Sequence, residues 1–160
     1  MSLFRLLTLL AMSLLTGCGF HLQGGINTPP EMQRTYIDAI ERNSQFHREL
    51  RRQLLAADVE LVDSLDEATA IFTISVDETE QRVLTVSARN VPTEYQVYYS
   101  VEYALVSGEK SLLATQFVTL TRDYTYDETL VLGKAREEDL LRESIVRDLV
   151  RIVLKQISAL

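Results

Sequence analysis

The sequence holds no tryptophan, one cysteine, two histidines and three prolines in 160 residues. A single cysteine excludes an intrachain disulfide and every multi-cysteine zinc arrangement. Two histidines leave little material for a histidine-based metal centre, and no motif asks for a cofactor. Basic residues are also few: 16 Lys and Arg stand against 23 Asp and Glu, a net charge of −7. That balance argues against a general nucleic-acid binder, whose affinity comes mainly from neutralising phosphates. A Gly-rich phosphate loop, a nucleophile elbow, His-Glu-x-x-His and Cys-x-x-Cys are all missing. His21 and His47 form no catalytic pair with any serine that spacing singles out, and no pair of acids is marked for glycoside hydrolysis. What remains, 46% hydrophobic and 24% charged, is an ordinary globular composition, which excludes disorder and leaves an enzyme disfavoured.

The first long feature is a leader. Arg5 is the only Lys, Arg, Asp or Glu before Glu31, and it precedes the apolar run Leu6 to Leu15. About ten residues suit a signal-peptide core and are too few to span a bilayer. The run ends in Leu15-Thr16-Gly17-Cys18, which looks like a bacterial lipobox, so residues 1–17 are expected to be a lipoprotein signal peptide and Cys18 its lipidated residue. Cleavage there leaves the 143 residues Cys18–Leu160 and, with Arg5 gone, moves the net charge from −7 to −8. Each buried methylene contributes about 0.8 kcal/mol, so the three chains usual for such lipoproteins anchor a protein effectively for good. Gly19, rather than Asp, follows the cysteine, a resemblance to sorting signals that favour the outer membrane. Gly24, Gly25, Pro29 and Pro30 mark residues 18–32 as a lipidated N-terminus and tether.

Periodicity predicts a single α+β domain over 33–160. Gln33 to Ile40 reads as a short strand. Ser44 can cap a helix carrying Phe46, Leu50, Leu54 and Ala57, which Asp58 ends, and Val59 to Val62 leads onward. Phe72, Ile74 and Val76 share parity with Leu84, Val86 and Ala88, which predicts one long strand over 70–88 with a polar, bent middle. Arg89 to Thr93 is a turn. Tyr95, Val97, Tyr99, Val101, Tyr103 and Leu105 then alternate with polar residues, the mark of a sheet with one buried face. Gly108 breaks this strand, and Leu112 to Tyr126 returns as a fourth. Glu137, Glu138 and Asp139 suit the first turn of a last helix, with Leu141, Ile145, Leu149 and Ile152 as its apolar stripe. The expected architecture is a two-layer sandwich: a four-stranded, mostly antiparallel sheet with two helices packed on one face.

Two groups of residues carry candidate chemistry. Asp77, Glu78 and Glu80 read as a solvated edge-strand face. The tyrosines at 95–103 read as packing rather than a sugar platform. In a meander, Arg89 at the close of the second strand lies near the loop after the fourth, which holds Gly133-Lys134-Ala135-Arg136. The following helix N-terminus points there too, giving a small anion site of Arg89 and Lys134, with Arg136 as an additional contact. The same residues can equally be solvated charges partnered by Glu137 and Glu138.

Cys18-Gly19-Phe20-His21-Leu22-Gln23-Gly24 resembles the mature start of the LPS-assembly lipoprotein family, LptE. The resemblance continues through Leu54 to Leu61, Arg89-Asn90 before Thr93-Glu94-Tyr95-Gln96, Arg122-Asp123-Tyr124, Lys134, and Glu138-Asp139 in the last helix. Gln23 departs from it, since a basic residue often stands there. The resemblance implies an outer-membrane lipoprotein that plugs a large β-barrel partner, helps it assemble, binds lipopolysaccharide and supports its insertion into the outer leaflet. It also implies lipopolysaccharide contacts at a basic residue in the second hairpin loop and another after the fourth strand, positions matched by Arg89 and Lys134. Other readings of the same leader are a lipid-anchored envelope scaffold and a periplasmic cell-wall hydrolase.

Overall fold

A computed structural model describes residues 27–125 and 131–160, with side chains of the last helix described from residue 136. Cys18 and its leader lie outside these residues. After a 3-10 turn at Pro30–Met32 come strand β1 (Arg34–Ala39), helix α1 (Gln45–Ala56) and strand β2 (Glu60–Val62). A second 3-10 turn at Leu65–Glu67 leads to β3 (Ala70–Val86), β4 (Pro92–Ser107), β5 (Lys110–Thr125) and helix α2 (Val131–Ile157). The sheet order is β2-β1-β3-β4-β5. The expected sandwich is present with one strand more than foreseen, and the sheet is mixed: β1 lies parallel to both β2 and β3, whereas β3, β4 and β5 are antiparallel.

Local chemistry accounts for the element ends. Ser44 caps α1 by accepting the His47 N–H at 2.9 Å, as the serine ahead of an apolar stripe suggests. Asp58 stops α1 in the left-handed region at φ 60°. Gly108 turns β4 into β5 at φ 56°, between the paired residues Ser107 and Lys110. Met32, ahead of the first strand, is fully buried, and its carbonyl accepts the Thr35 hydroxyl at 2.8 Å.

The core fills the space between one sheet face and the helices. Phe46, Leu50 and Leu54 of α1 and Ile145, Leu149, Val153 and Ile157 of α2 bury themselves there. They meet Phe72, Ile74, Val97, Val101, Tyr103 and Leu105 from the sheet. Phe72 stacks on Tyr103 with ring centroids 5.7 Å apart. The Tyr103 hydroxyl donates to Gln156 at 2.6 Å, and Arg122 pairs with Asp148 at 2.5 Å. These two contacts fix α2 running alongside β4 in the same direction.

The long third strand is continuous, but its parity is not. A bulge between Ile74 and Val76 moves the face: Phe72 and Ile74 stand opposite Leu105 and Tyr103, then Asp77, Thr79 and Gln81 stand opposite Val101, Tyr99 and Val97. A second bulge between Val83 and Thr85 shifts the ladder again. Two corrections follow. Asp77 does not belong to a solvated face; it lies on the helix side, where its carboxylate accepts the Tyr99 hydroxyl at 2.6 Å and the Ser44 hydroxyl of the α1 cap. Leu84 and Val86 do not continue the buried face of Phe72 and Ile74 that their shared parity suggested, being 44% and 51% exposed. Glu78 and Glu80 are exposed as expected, on a half of β3 that pairs with β4 alone because β1 reaches only to Ile74.

Candidate functional site: the free end of the hairpin

Among the described residues the β3–β4 hairpin reaches farther than the rest of the sheet. Among the described residues, pairing of β4 with β5 runs to Glu94–Thr125, while pairing with β3 continues to Val86–Pro92. The turn beyond is closed by its own backbone: Ser87 N–H donates to Val91 O at 2.7 Å and Asn90 N–H to Ser87 O at 2.9 Å. Asn90 adopts φ 60°, a conformation asparagine tolerates and most residues resist. Arg89 therefore projects from a shaped turn. It is exposed, and no described carboxylate lies within ion-pairing distance of it.

The other two expected contacts sit elsewhere in secondary structure than foreseen. Residues 133–136 are not a loop before a helix starting at Glu137; they belong to α2, which begins at Val131. The acidic run at 137–139 imitates a first turn and is in fact the second. Lys134 is thus in the opening turn of α2, and Arg136 is an exposed residue just after it. The burial of Tyr124, with Glu138 and Glu137 nearby, raises its hydroxyl above the ordinary tyrosine range, which sets the second turn of α2 over that residue. With a rise of about 1.5 Å per residue, the backbone of Lys134 lies about 6 Å farther toward the hairpin end. Arg89 and the start of α2 consequently share one end of the sheet, with the Arg89 turn reaching beyond the last β4–β5 rung.

The sheet face turned away from the helices is a polar ladder. Tyr98 donates to Glu80 at 2.6 Å, Arg82 to Gln96 at 2.9 Å, and Gln96 to Asp123 at 2.7 Å. Ser100 and Thr119 bond at 2.8 Å, and Ser75 donates to Glu102 at 2.6 Å. A shallow depression lined by Glu80, Arg82, Tyr98, Ser100, Thr119 and Thr121 lies on this face. Neither it nor the hollow between the helices, lined by arginines 48, 52 and 147 with Glu49 and Glu143, gathers a nucleophile with a base. Among the described residues no group of His, Cys, Asp or Glu could hold a metal ion, and no helix is long and apolar enough to cross a membrane. His47 is buried with its Nδ1 unpartnered; burial, then the nearby Arg51, lowers its pKa and keeps it neutral.

A family model described as Lipopolysaccharide-assembly, LptE, matches residues 32–157, nearly the whole described domain. The chain belongs to the LptE family. An LPS-assembly lipoprotein LptE from Pectobacterium atrosepticum is 29% identical over 159 residues, covering 95% of this chain and 85% of that protein. The solution structure of a lipoprotein B from Nitrosomonas europaea superposes with a TM-score of 0.72 at 28% identity, covering 88% of this chain and 91% of that one. The crystal structure of rare lipoprotein B from Shewanella oneidensis, at 21% identity and a TM-score of 0.68, shares the fold. In this LptE-family chain the feature that sequence reasoning missed is the apolar surface of the hairpin end, because Val83, Leu84 and Val86 carry the same signature as core residues.

Proposed function

We propose that this chain is an outer-membrane lipoprotein, cleaved after residue 17 and lipidated at Cys18, that plugs a large lipopolysaccharide-translocating β-barrel. It faces the periplasm and the barrel interior, helps the barrel assemble, binds lipopolysaccharide and supports its insertion into the outer leaflet. Its work is binding, without bond making and without a cofactor. Membership of the LptE family, reaching across residues 32–157, is the observation that carries this reading.

The geometry supports it in two ways. The face opposite the helices is polar and already bonded across strands, which suits the wet, polar interior of an outer-membrane barrel better than lipid. Arg89 is exposed at the hairpin end, where a guanidinium can grip a phosphate bidentately, while Lys134 supplies a point charge and Arg136 a further one. The acidic remainder discourages adhesion to other anionic surfaces.

Affinity purification of the full-length lipoprotein from outer membranes, with mass identification of what accompanies it, tests the partner. A stoichiometric large β-barrel is expected; a solitary lipoprotein refutes the plug. Titration of Arg89→Glu/Lys134→Glu with lipopolysaccharide tests the site. Weakened binding with an unchanged unfolding midpoint is expected, and wild-type binding removes these residues from it.

A further inference from the structure

Val83, Leu84 and Val86 are 47%, 44% and 51% exposed, three aliphatic side chains within four residues of one strand end. Elsewhere the free half of β3 carries Glu78, Glu80 and Arg82 at its surface, the usual protection of an unpaired edge. The protection stops after Arg82, so the apolar surface is local to the strand end. The second bulge leaves Leu84 without a partner in the ladder, and its side chain is 44% exposed. Val83 stands opposite Tyr95, whose ring stacks on Tyr124 at 5.6 Å, so the exposed aliphatic stretch begins beside the edge of the core and leads to the hairpin end. Three residues beyond Val86, Arg89 projects from the turn.

An exposed apolar stretch followed by a cation with no ion-pair partner among the described residues has the polarity of an anionic amphiphile. We infer that the hairpin end is an acyl-chain-binding finger: Val83, Leu84 and Val86 take hydrocarbon chains of lipopolysaccharide while Arg89 takes a phosphate at their head. The inference rests on the reading of Arg89 given above and adds the apolar half of the ligand. A deacylated ligand meets Arg89 alone and gains nothing from the strip. The chains, once against it, remove about half of three aliphatic side chains from water, which is worth on the order of tenfold or more in affinity.

The test uses the full lipidated chain and two probes, intact lipopolysaccharide and its chemically deacylated phosphorylated oligosaccharide. For Val83→Ser/Leu84→Ser/Val86→Ser, at least a tenfold loss is expected for the intact probe and no change for the deacylated one. Val83→Thr/Val86→Thr, which keeps β-branching, should move the same way, while Leu84→Met should bind as the wild type. Undiminished binding of the intact probe by both polar variants, with unchanged unfolding midpoints, overturns the finger and leaves Arg89 untouched. Arg89→Glu alone reports on the anion site: it should weaken both probes equally, and if it weakens neither, that site fails while the comparison between probes still stands. Equal loss of binding to phosphatidylglycerol vesicles overturns the assignment to lipopolysaccharide chains in favour of general insertion into lipid.

Discussion

Replacing Asp77 by alanine is the sharpest test of how α1 is fastened to the sheet. The carboxylate accepts from the Tyr99 hydroxyl at 2.6 Å and from the Ser44 hydroxyl, and Ser44 in turn holds the first free N–H of the helix. Hydrogen bonds to an ionised group contribute about 1.5–3 kcal/mol each, and the half-buried position of Asp77 sets the lower figure. Two such bonds lost give about 3 kcal/mol, with the Tyr99 hydroxyl left in a site only 2% exposed. For a domain of this size that is a fall of about 10–15 °C in Tm. Urea unfolding followed by far-ultraviolet circular dichroism reads it directly, with an unchanged denaturant slope showing that both states keep their compactness. Asp77→Asn keeps one acceptor and should cost about half as much. Tyr99→Phe combined with Asp77→Ala should cost less than the two singly, because they share a bond. A loss below about 0.5 kcal/mol for Asp77→Ala, or strict additivity of the pair, refutes the clasp.

Further expectations follow from packing, turn geometry and protonation. Phe72→Ala empties a fully buried site beside Tyr103 and should cost about 3–5 kcal/mol by the same unfolding measurement. Gly108→Ala meets no atom within 4 Å, so its cost of about 1 kcal/mol comes from the positive φ alone, and Gly108→Asn should recover most of it. His47 has a pKa below 6.5 in the fold, so the unfolded chain binds a proton the folded chain refuses. Its contribution is intact above about pH 6.5 and is lost as pH falls through that value toward the lowered one. A thermal-melting series from pH 7.5 to 5.5 should show a decline that His47→Gln lessens; identical declines would refute the assignment.

The parts of the fold legible in the sequence are those whose signal is local. β4 buries Val97, Tyr99, Val101, Tyr103 and Leu105 on one face, so strict alternation survives in its residues. Ser44 announces α1 because a cap works through a neighbour three residues away. β2 was illegible as a strand: three residues carry no period, and its existence depends on Arg34–Tyr36 lying alongside. The bulges were hidden for a different reason. One extra residue reverses every later side chain without changing composition, so Asp77 read as surface and Leu84 as sharing the face of Phe72 and Ile74. At the site, Arg89 was legible from the turn residues Arg-Asn-Val-Pro, whereas the true start of α2 was masked by an acidic cluster one turn too late.

The position of α2 after all five strands sets an order on folding. Both β hairpins and α1 can form from what precedes residue 126, yet Val97, Val101, Tyr103 and Leu105 have only the cover of α1 until the 27-residue α2 arrives. A chain emerging N-terminus first therefore carries a finished sheet whose greasy side is only partly covered until residues 131–157 follow. During that interval it is most prone to sticking to its own kind, and an escorting chaperone would find its grip there. A truncation that removes α2 should accordingly yield insoluble protein rather than a smaller folded one.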